Sequence, residues 1–437
     1  MRVRAGPAAV GAIPLGRFFS QALLCRLSGA LAGYLTILLL AAYTAPADLG
    51  WFATALAVAM LASAGAGLGQ PVAVLRLIHG EGCKTDFEPS LVGASAILSL
   101  AGAFSAGIAV AVGGELLTAW RLVSAPPGLL LWTGVAAAGL AALEWSSAVL
   151  RAQQRFAEAL VPREVFWRIA SLAAIVIWLL LGEPVTAVHA VSTIAVMLWL
   201  GMIWQWRLLA SCLMPGSFMR AAAKCAGLLR SSRDFWITAV SAPLANHLGL
   251  IVLGCALSIE SAGVFFLLDR TAQLLVFVLT SLGAIATPMM AQLRKAGELE
   301  RLRVVFMSTS FYSGAAALGL FALLVLFGPS LLAVAAPGHE AAYPLLLLLA
   351  LGQVVNAATG PAGSLLLVAD HERLAMRLGL LFNCAGVLLT GICAIGFGLP
   401  GAVLASTAIL VARSVVTFAC CLQILGLRPL LRMERQL

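Results

Sequence analysis

Three arginines stand inside long apolar stretches of this sequence: Arg26, Arg270 and Arg413. A guanidinium at the centre of a bilayer costs at least ~2.5 kcal/mol on insertion scales unless it meets water, an anion or a carboxylate. Because the planar fork of arginine matches phosphate and carboxylate oxygens, these residues favour recognition of an anionic group. The sequence leaves open the alternative that they are structural arginines, which snorkel to the interface or pair with carboxylates.

Two acidic residues are placed to interact with these charges. Asp269 precedes Arg270, and although adjacent helical residues do not face each other, a bent geometry would let it neutralise Arg270. Asp269 is otherwise a candidate proton site for coupling. Glu144 precedes Arg151 by seven residues, and we expect it to be a structural partner rather than a gate. Since Glu144 is the one interior carboxylate expected in the first half, at least one of the three arginines should lack an acidic partner.

Glycine and proline interrupt three of the apolar stretches. The candidate hinges are Gly69, Pro71, Pro288, Gly360 and Pro361. Pro71 follows a run of alternate glycines, and Pro288 occupies the corresponding place 217 residues later. Paired interruptions of this kind mark binding sites and hinges in transporters. Kinks that are tolerated by packing are the alternative.

The elements that carry these residues are about twelve apolar stretches, each close to the ~20 residues that cross a bilayer core. We predict spans near 17–44, 51–78, 90–113, 128–150, 164–182, 185–209, 234–257, 261–293, 304–327, 341–369, 372–396 and 399–425. The chain is 62% hydrophobic and only 10% charged, which excludes a soluble domain of this length. The fold class is therefore predicted to be an all-α polytopic membrane protein.

The basic residues outside these spans lie almost entirely on one side of the membrane. Of the 27 lysines and arginines, only Arg121 falls in a predicted external connection. This asymmetry follows the positive-inside rule and predicts that both termini are cytoplasmic, in a multi-pass protein of the inner membrane. Insertion topology and anionic headgroups then explain the net charge of +9, and nucleic acid is not expected as a partner.

The longest internal gap divides the chain into two halves of six spans each. We predict an N-terminal bundle over residues 1–209, a cytoplasmic linker over 210–233, and a C-terminal bundle with a short basic tail over 234–437. Within the linker, Arg220 and Lys224 share one face, which predicts an amphipathic helix on the inner membrane surface.

Short motifs recur in the two halves at a nearly constant offset. Residues 48–52 correspond to residues 261–265, and the Gly-x-Pro at Gly182 corresponds to the one at Gly398, an offset of 216. Because six spans per repeat is an even number, both halves share one orientation. They should be related by a pseudo-two-fold axis along the membrane normal.

Catalytic and metal-binding signatures are missing from the sequence. It contains no P-loop, no zinc-protease motif and no nucleophile elbow. The nine cysteines form no Cys/His cluster, so we interpret them as reduced thiols. The external connections are also too short for a catalytic domain, which disfavours a membrane enzyme that uses lipid-linked sugars. We predict no enzymatic activity, no cofactor and no metal.

Several stretches resemble one family. Residues 38–76, with Ala-Asp-Leu-Gly-Trp-Phe and then Gly-Leu-Gly-Gln-Pro-Val, resemble the opening of bacterial polysaccharide (O-antigen type, Wzx-like) flippases. These belong to the multidrug/oligosaccharidyl-lipid/polysaccharide exporter (MOP) superfamily. Residues 150–156, 259–265 and 398–403, together with Pro288, resemble further motifs of that family, so the resemblance covers essentially the whole chain.

The resemblance implies two six-helix bundles around a V-shaped central cavity. It implies a transporter that flips undecaprenyl-pyrophosphate-linked oligosaccharides from the inner to the outer leaflet, for O-antigen, lipopolysaccharide or exopolysaccharide biosynthesis. Arg26, Arg270 and Arg413 would attract the pyrophosphate. Contacts with membrane lipids are implied, and other polysaccharide assembly proteins are open as partners. The alternative is a cation-coupled multidrug (MATE-like) antiporter, although such exporters usually use carboxylates in the first bundle, where span 1 has Arg26 and no acidic residue.

The charge asymmetry makes a topology prediction. Reporter fusions at Pro126 and Gly338 should report an external location, and fusions at Lys224 and Arg435 an internal one, because the basic connections stay in the cytoplasm. Alkaline phosphatase and green fluorescent protein activities measure the two locations. An external reading at Lys224 would contradict the twelve-span arrangement.

Overall fold

The computed structural model describes residues 15–79, 89–153, 155–209, 218–335 and 337–426, and every regular element in these ranges is helical. The first lobe contains α1 (Leu15–Tyr43), α2 (Pro46–Ala66), α3 (Gln70–His79), α4 (Pro89–Ala119), α5 (Leu129–Ala152), α6 (Phe156–Leu160), α7 (Trp167–Leu180) and α8 (Ala187–Leu209). Residues Val161–Phe166 form a π-helical segment that joins α6 to α7.

A connecting helix, α9 (Phe218–Ser231), precedes the second lobe. That lobe contains α10 (Arg233–Ala256), α11 (Ile259–Gln273), α12 (Phe277–Lys295), α13 (Leu299–Ala335), α14 (Tyr343–Ala358), α15 (Ala362–Val368) and α16 (Glu372–Ile424). Leu40, Leu143 and Leu198 are buried in the core of the first lobe, which continues across the lobe interface to Phe266 and Leu267 of α11. Leu268 and Leu346 are buried in the core of the second lobe.

The helices account for the predicted spans. Among the described residues, nine helices are long and apolar enough to cross a membrane. The 53-residue α16 is one of them, but its backbone leaves the helical region at Gly398, so it supplies predicted spans 11 and 12. Helices α7 and α10 correspond to predicted spans 5 and 7. The all-α, twelve-helix fold class is confirmed.

The glycine run in span 2 breaks the helix as the sequence predicted. Helix α2 ends at Ala66, Leu68 and Gly69 have left-handed φ values of 47° and 73°, and α3 begins at Gln70. Pro71 lies in the first turn of α3, where backbone N–H groups have no partner within the helix, so a proline costs no hydrogen bond there. A Cβ on Gly69 would lie 2.5 Å from the carbonyl oxygen of Ser232, so only glycine allows this approach to the second lobe.

The corresponding proline in the second lobe does not break its helix. Pro288 lies inside α12, which is helical from Phe277 to Lys295. The discontinuity of this span lies earlier, in the 3-10 turn Leu274–Val276. The prediction that Pro71 and Pro288 mark equivalent helix breaks is therefore wrong, because the α12 backbone lacks the left-handed glycine turn that precedes Pro71.

Two other predicted interruptions are present. Gly360 has a φ of 65°, and with Pro361 it separates α14 from α15. Gly182 and Gly398, which recur at a constant offset, have left-handed φ values of 75° and 67°. Each lies just before the last span of its lobe, so the repeated Gly-x-Pro motif forms a similar turn twice.

The amphipathic helix predicted in the linker is α9. Its apolar face packs on α4, where Ala221 and Leu228 are buried next to Ala94. The Lys224 ammonium donates a 2.9 Å hydrogen bond to the Ser90 hydroxyl. Residues 210–217 of the predicted linker lie outside the described residues.

The two lobes meet most closely along α2. A Cβ on Gly50 would lie 1.9 Å from the carbonyl oxygen of Ile259, and Gly263 packs against Gly50 from the same helix, α11. Toward the other end of α2, the Trp236 indole N–H donates a 2.8 Å hydrogen bond to the carbonyl oxygen of Gly65. On the opposite side of the interface, the Tyr34 and Thr271 hydroxyls share a 3.0 Å hydrogen bond between α1 and α11.

The Gly50 contact closes the predicted external end of the lobe interface. In Gly50→Ala the new methyl group cannot fit against the Ile259 carbonyl, so the lobes should separate at this end. Spin labels at Ser124→Cys and Ala341→Cys, on a cysteine-free background, should report a longer interlobe distance by electron–electron resonance. The control Gly319→Ala adds a methyl group with no atom within 4 Å and should leave the distance unchanged. An unchanged distance in Gly50→Ala would contradict this role.

Candidate functional site

A cavity of about 350 Å³ lies between the lobes, lined by α1, α2 and α7 on one side and α10, α11 and α12 on the other. Arg26 of the first lobe and Arg270 of the second both line it. The face of α1 that carries Arg26 also carries Gly29, whose missing Cβ lets the Glu164 carbonyl oxygen approach. The face of α1 that carries Gly29 therefore points into the bundle.

The guanidinium groups of Arg26 and Arg270 differ in the partners that the protein offers them. Arg26 is exposed to the cavity, and no described residue forms an ion pair or hydrogen bond with its guanidinium. The Arg270 guanidinium donates a 2.9 Å hydrogen bond to the Gln273 side-chain oxygen and lies 5.1 Å from the ring centre of Phe266. Neither arginine is ion-paired with a described carboxylate.

Asp269 interacts with Arg270 indirectly. The Gln273 amide donates a 2.6 Å hydrogen bond to the Asp269 carboxylate, while its oxygen accepts from Arg270. One glutamine thus bridges the two charges along the helix face, where Asp269 and Gln273 are four residues apart. Asp269 is a pairing residue in this geometry, and its role in coupling stays a prediction.

Arg413 lines a second cavity, of about 210 Å³, inside the second lobe. Asp269, Arg270 and Gln273 also line this cavity, so Arg270 stands between it and the central cavity. No described residue hydrogen-bonds or pairs with the Arg413 guanidinium. The three arginines thus line two adjoining cavities rather than a single one.

A third cavity, of about 390 Å³, adjoins the central one, and both are lined by Glu164, Trp167 and Arg168. Its wall comes mostly from the first lobe, with Ala239, Pro243 and His247 of α10 closing one side, and we call it the first-lobe cavity. Gly69 and Pro71 line this third cavity, whereas the other candidate hinges line none of the three. The helix break at Gly69 therefore lies at a cavity wall.

A network of ion pairs surrounds the first-lobe cavity. Glu144 accepts from Arg163 at 2.5 Å and from Arg151 at 3.3 Å, and Glu164 accepts from Arg163 at 2.5 Å and from Arg168 at 3.0 Å. Arg163 and Glu164 belong to the π-helical segment, and such segments often occur at functional sites. Glu144 is ion-paired with two arginines in this geometry, and its role as a structural partner rather than a gate stays a prediction.

The sequence interpretation missed Glu164 as an interior carboxylate. Glu164 is the first residue of the predicted span 164–182, yet it lines both the central and the first-lobe cavity. Glu144 is therefore not the single interior acidic residue of the first half. The spacing of Glu164 and Arg168, four residues apart, is a local signal of this ion pair. The approach of Glu164 to α1 depends on Gly29 and has no such local signal.

The three cavities are cationic overall. Arginines outnumber carboxylates among the charged side chains that line the cavities: Arg26, Arg163, Arg168, Arg270 and Arg413 against Glu144, Glu164 and Asp269. Because the carboxylates are held by arginines or by Gln273, the uncompensated charge is concentrated at Arg26 and Arg413. Such a site attracts anions and repels cations.

The sequence matches no known protein-family model and no curated protein. The structure is similar to the inward-facing conformation of a multidrug resistance MATE family transporter of the MOP superfamily, with a TM-score of 0.72 at 15% identity over 93% of this chain and 98% of that chain. An outward-facing conformation of such a transporter gives 0.62 at 14% identity, over 94% and 96%.

A mutant of the Vibrio cholerae MATE transporter VcmN is also similar, with a TM-score of 0.59 at 14% identity over 95% of this chain and 98% of that chain. The chain therefore has the twelve-helix, two-lobe fold of these transporters. The better overlay on the inward-facing structure agrees with the close contact of Gly50 and Ile259 at the predicted external end.

The ion-pair network makes a stability prediction. Glu144→Gln removes the carboxylate shared by Arg151 and Arg163, whose side chains are only 26% and 28% exposed, and should lower the melting temperature in detergent by roughly 2–4 °C. In the control Glu298→Gln, the lost partner Arg301 is 76% exposed, so the melting temperature should hardly change. Equal shifts in both variants would contradict a structural role for Glu144.

Proposed function

We propose that this protein flips undecaprenyl-pyrophosphate-linked oligosaccharide units from the inner to the outer leaflet, for surface polysaccharide biosynthesis. The observation that carries the proposal is the central cavity, in which Arg26 and Arg270 come from different lobes and neither is paired with a carboxylate. A pyrophosphate that crosses the bilayer needs compensating positive charge, and guanidinium groups bind its oxygens in a bidentate manner.

The position of the two arginines suits alternating access. Since Arg26 lies on α1 and Arg270 on α11, a bound pyrophosphate would contact both lobes. The contact of Gly50 with Ile259 joins the lobes at the predicted external end, and separation of the lobes there would expose the same charges to the other side. The apolar polyprenyl chain stays in lipid during this movement.

The alternative is a cation-coupled multidrug antiporter. Its support is the similarity to multidrug MATE transporters and the carboxylate of Glu164 at the central cavity. Against it, Glu164 is ion-paired with Arg163 and Arg168, so its charge is already compensated. Resistance to lipophilic cations in cells that express the protein, lost in Glu164→Gln, would favour this alternative.

The proposal predicts the effect of removing the unpaired arginines. Arg26→Ala and Arg413→Ala should abolish surface polysaccharide export in a deletion strain, while immunoblots of membranes show normal insertion. The Lys variants should restore export only in part, because an ammonium supplies charge without the bidentate fork. The control Arg377→Ala removes an exposed arginine at the start of α16 and should export normally. Normal export by both Arg26→Ala and Arg413→Ala would overturn the proposal.

A further inference from the structure

The second-lobe cavity carries more polar groups than a phosphate site alone requires. Besides the charged residues, its wall contains amide and hydroxyl side chains from α14 and α16: Gln353, Asn383, Thr390, Ser406 and Thr407. Groups of this kind hydrogen-bond the hydroxyl groups of sugars. The cavity shares Phe266, Arg270 and Gln273 with the wall of the central one, so a group bound in it would lie next to a pyrophosphate bound at Arg26 and Arg270.

Three of these side chains have unused hydrogen-bonding capacity. The Arg413 guanidinium and the Asn383 amide have no partner among the described residues. Thr407 is 6% exposed, and its hydroxyl oxygen is buried without a hydrogen-bond partner in the described part of the chain. A buried hydroxyl without a partner is unfavourable, and Thr407 lines the same cavity as the unpaired arginine, so a ligand in this cavity would supply partners that the protein does not.

The charge of the cavity fits a single negative group. Asp269 and Arg270 are opposite charges joined through Gln273, which leaves the Arg413 guanidinium as the one excess charge of the described lining. A carboxylate has one negative charge and two oxygens, and it binds an arginine fork through two parallel hydrogen bonds. The volume of about 210 Å³ is below the ~300–1,000 Å³ of sites for drug-sized ligands, so it fits one sugar unit rather than a whole oligosaccharide.

We propose that the second-lobe cavity is a specificity site for an acidic sugar of the transported glycan, with Arg413 binding the sugar carboxylate and Asn383 and Thr407 binding its hydroxyl groups. The proposal rests on the proposed function, since the sugar arrives on the pyrophosphate carrier held at Arg26 and Arg270. It narrows the substrate class to glycans with a uronic acid close to the lipid-linked end.

The test uses two soluble probes on the purified full-length protein in lipid nanodiscs. Methyl glucuronide should raise the melting temperature in a saturable manner, whereas methyl glucoside, which has the same ring without the carboxylate, should not. Arg413→Gln should weaken the glucuronide effect by roughly ten- to hundredfold in apparent affinity, the range for a charge-assisted contact. Arg413→Lys should retain an intermediate affinity.

Inorganic pyrophosphate separates this proposal from the proposed function. Arg26→Gln should weaken pyrophosphate binding and leave glucuronide binding intact. If pyrophosphate does not bind the wild type while glucuronide binds and depends on Arg413, the pyrophosphate assignment fails and the sugar site stands. If glucuronide and glucoside bind equally, if neither binds up to its solubility limit, or if Arg26→Gln and Arg413→Gln weaken glucuronide alike, the sugar site is overturned.

A further variant, Thr407→Val, tests the site in case the arginine variants fail to fold. It removes a buried hydroxyl that has no partner, so the free protein should be at least as stable as the wild type. Its affinity for glucuronide should nevertheless fall several-fold. Unchanged glucuronide affinity in a stable Thr407→Val protein would exclude Thr407 from the site and contradict the proposed arrangement.

Discussion

The cost of holding guanidinium groups among apolar helices is the constraint on which this structure depends. An arginine at membrane depth needs a counter-charge, a hydrogen-bond partner or a wet cavity. The protein uses all three solutions: Arg163 lies between two carboxylates, Arg270 binds Gln273 and stacks on Phe266, and Arg26 faces the cavity between the lobes. The arginines left without a protein partner are those with the strongest reason to bind an anion.

Backbone contacts at glycine place these charges. Gly29 lets α1 approach the Glu164 carbonyl, which brings the ion-pair network to the wall of the cavity that Arg26 lines. Gly50 lets α2 pack closely on α11, Gly69 in the turn after α2 lets the chain approach Ser232, and the Tyr34–Thr271 hydrogen bond joins α1 to α11. Movement of the lobes about α2 would therefore change access to the arginines without displacing them within their own helices.

The similarity to multidrug transporters shows a shared fold, and under the proposed function the charges at the site favour an anionic cargo. One fold can serve several functions, because the site and not the architecture decides what is bound. A transporter of cationic drugs benefits from free carboxylates, but the carboxylates Glu144 and Glu164 are here compensated by arginines. In the proposed function, the excess positive charge binds the pyrophosphate carrier and, at Arg413, a second anionic group.

The sequence by itself determined the helices and several of their breaks, because apolar length and the positions of glycines are local properties. It therefore predicted the turns at Gly69 and Gly398 correctly. It misplaced the break near Pro288, since a proline within a helix can be accommodated by packing that no local pattern reveals. Only the tertiary structure decided that Glu164 reaches the central cavity and that Arg413 lines a separate one, because both depend on which helices pack together across long distances in the chain.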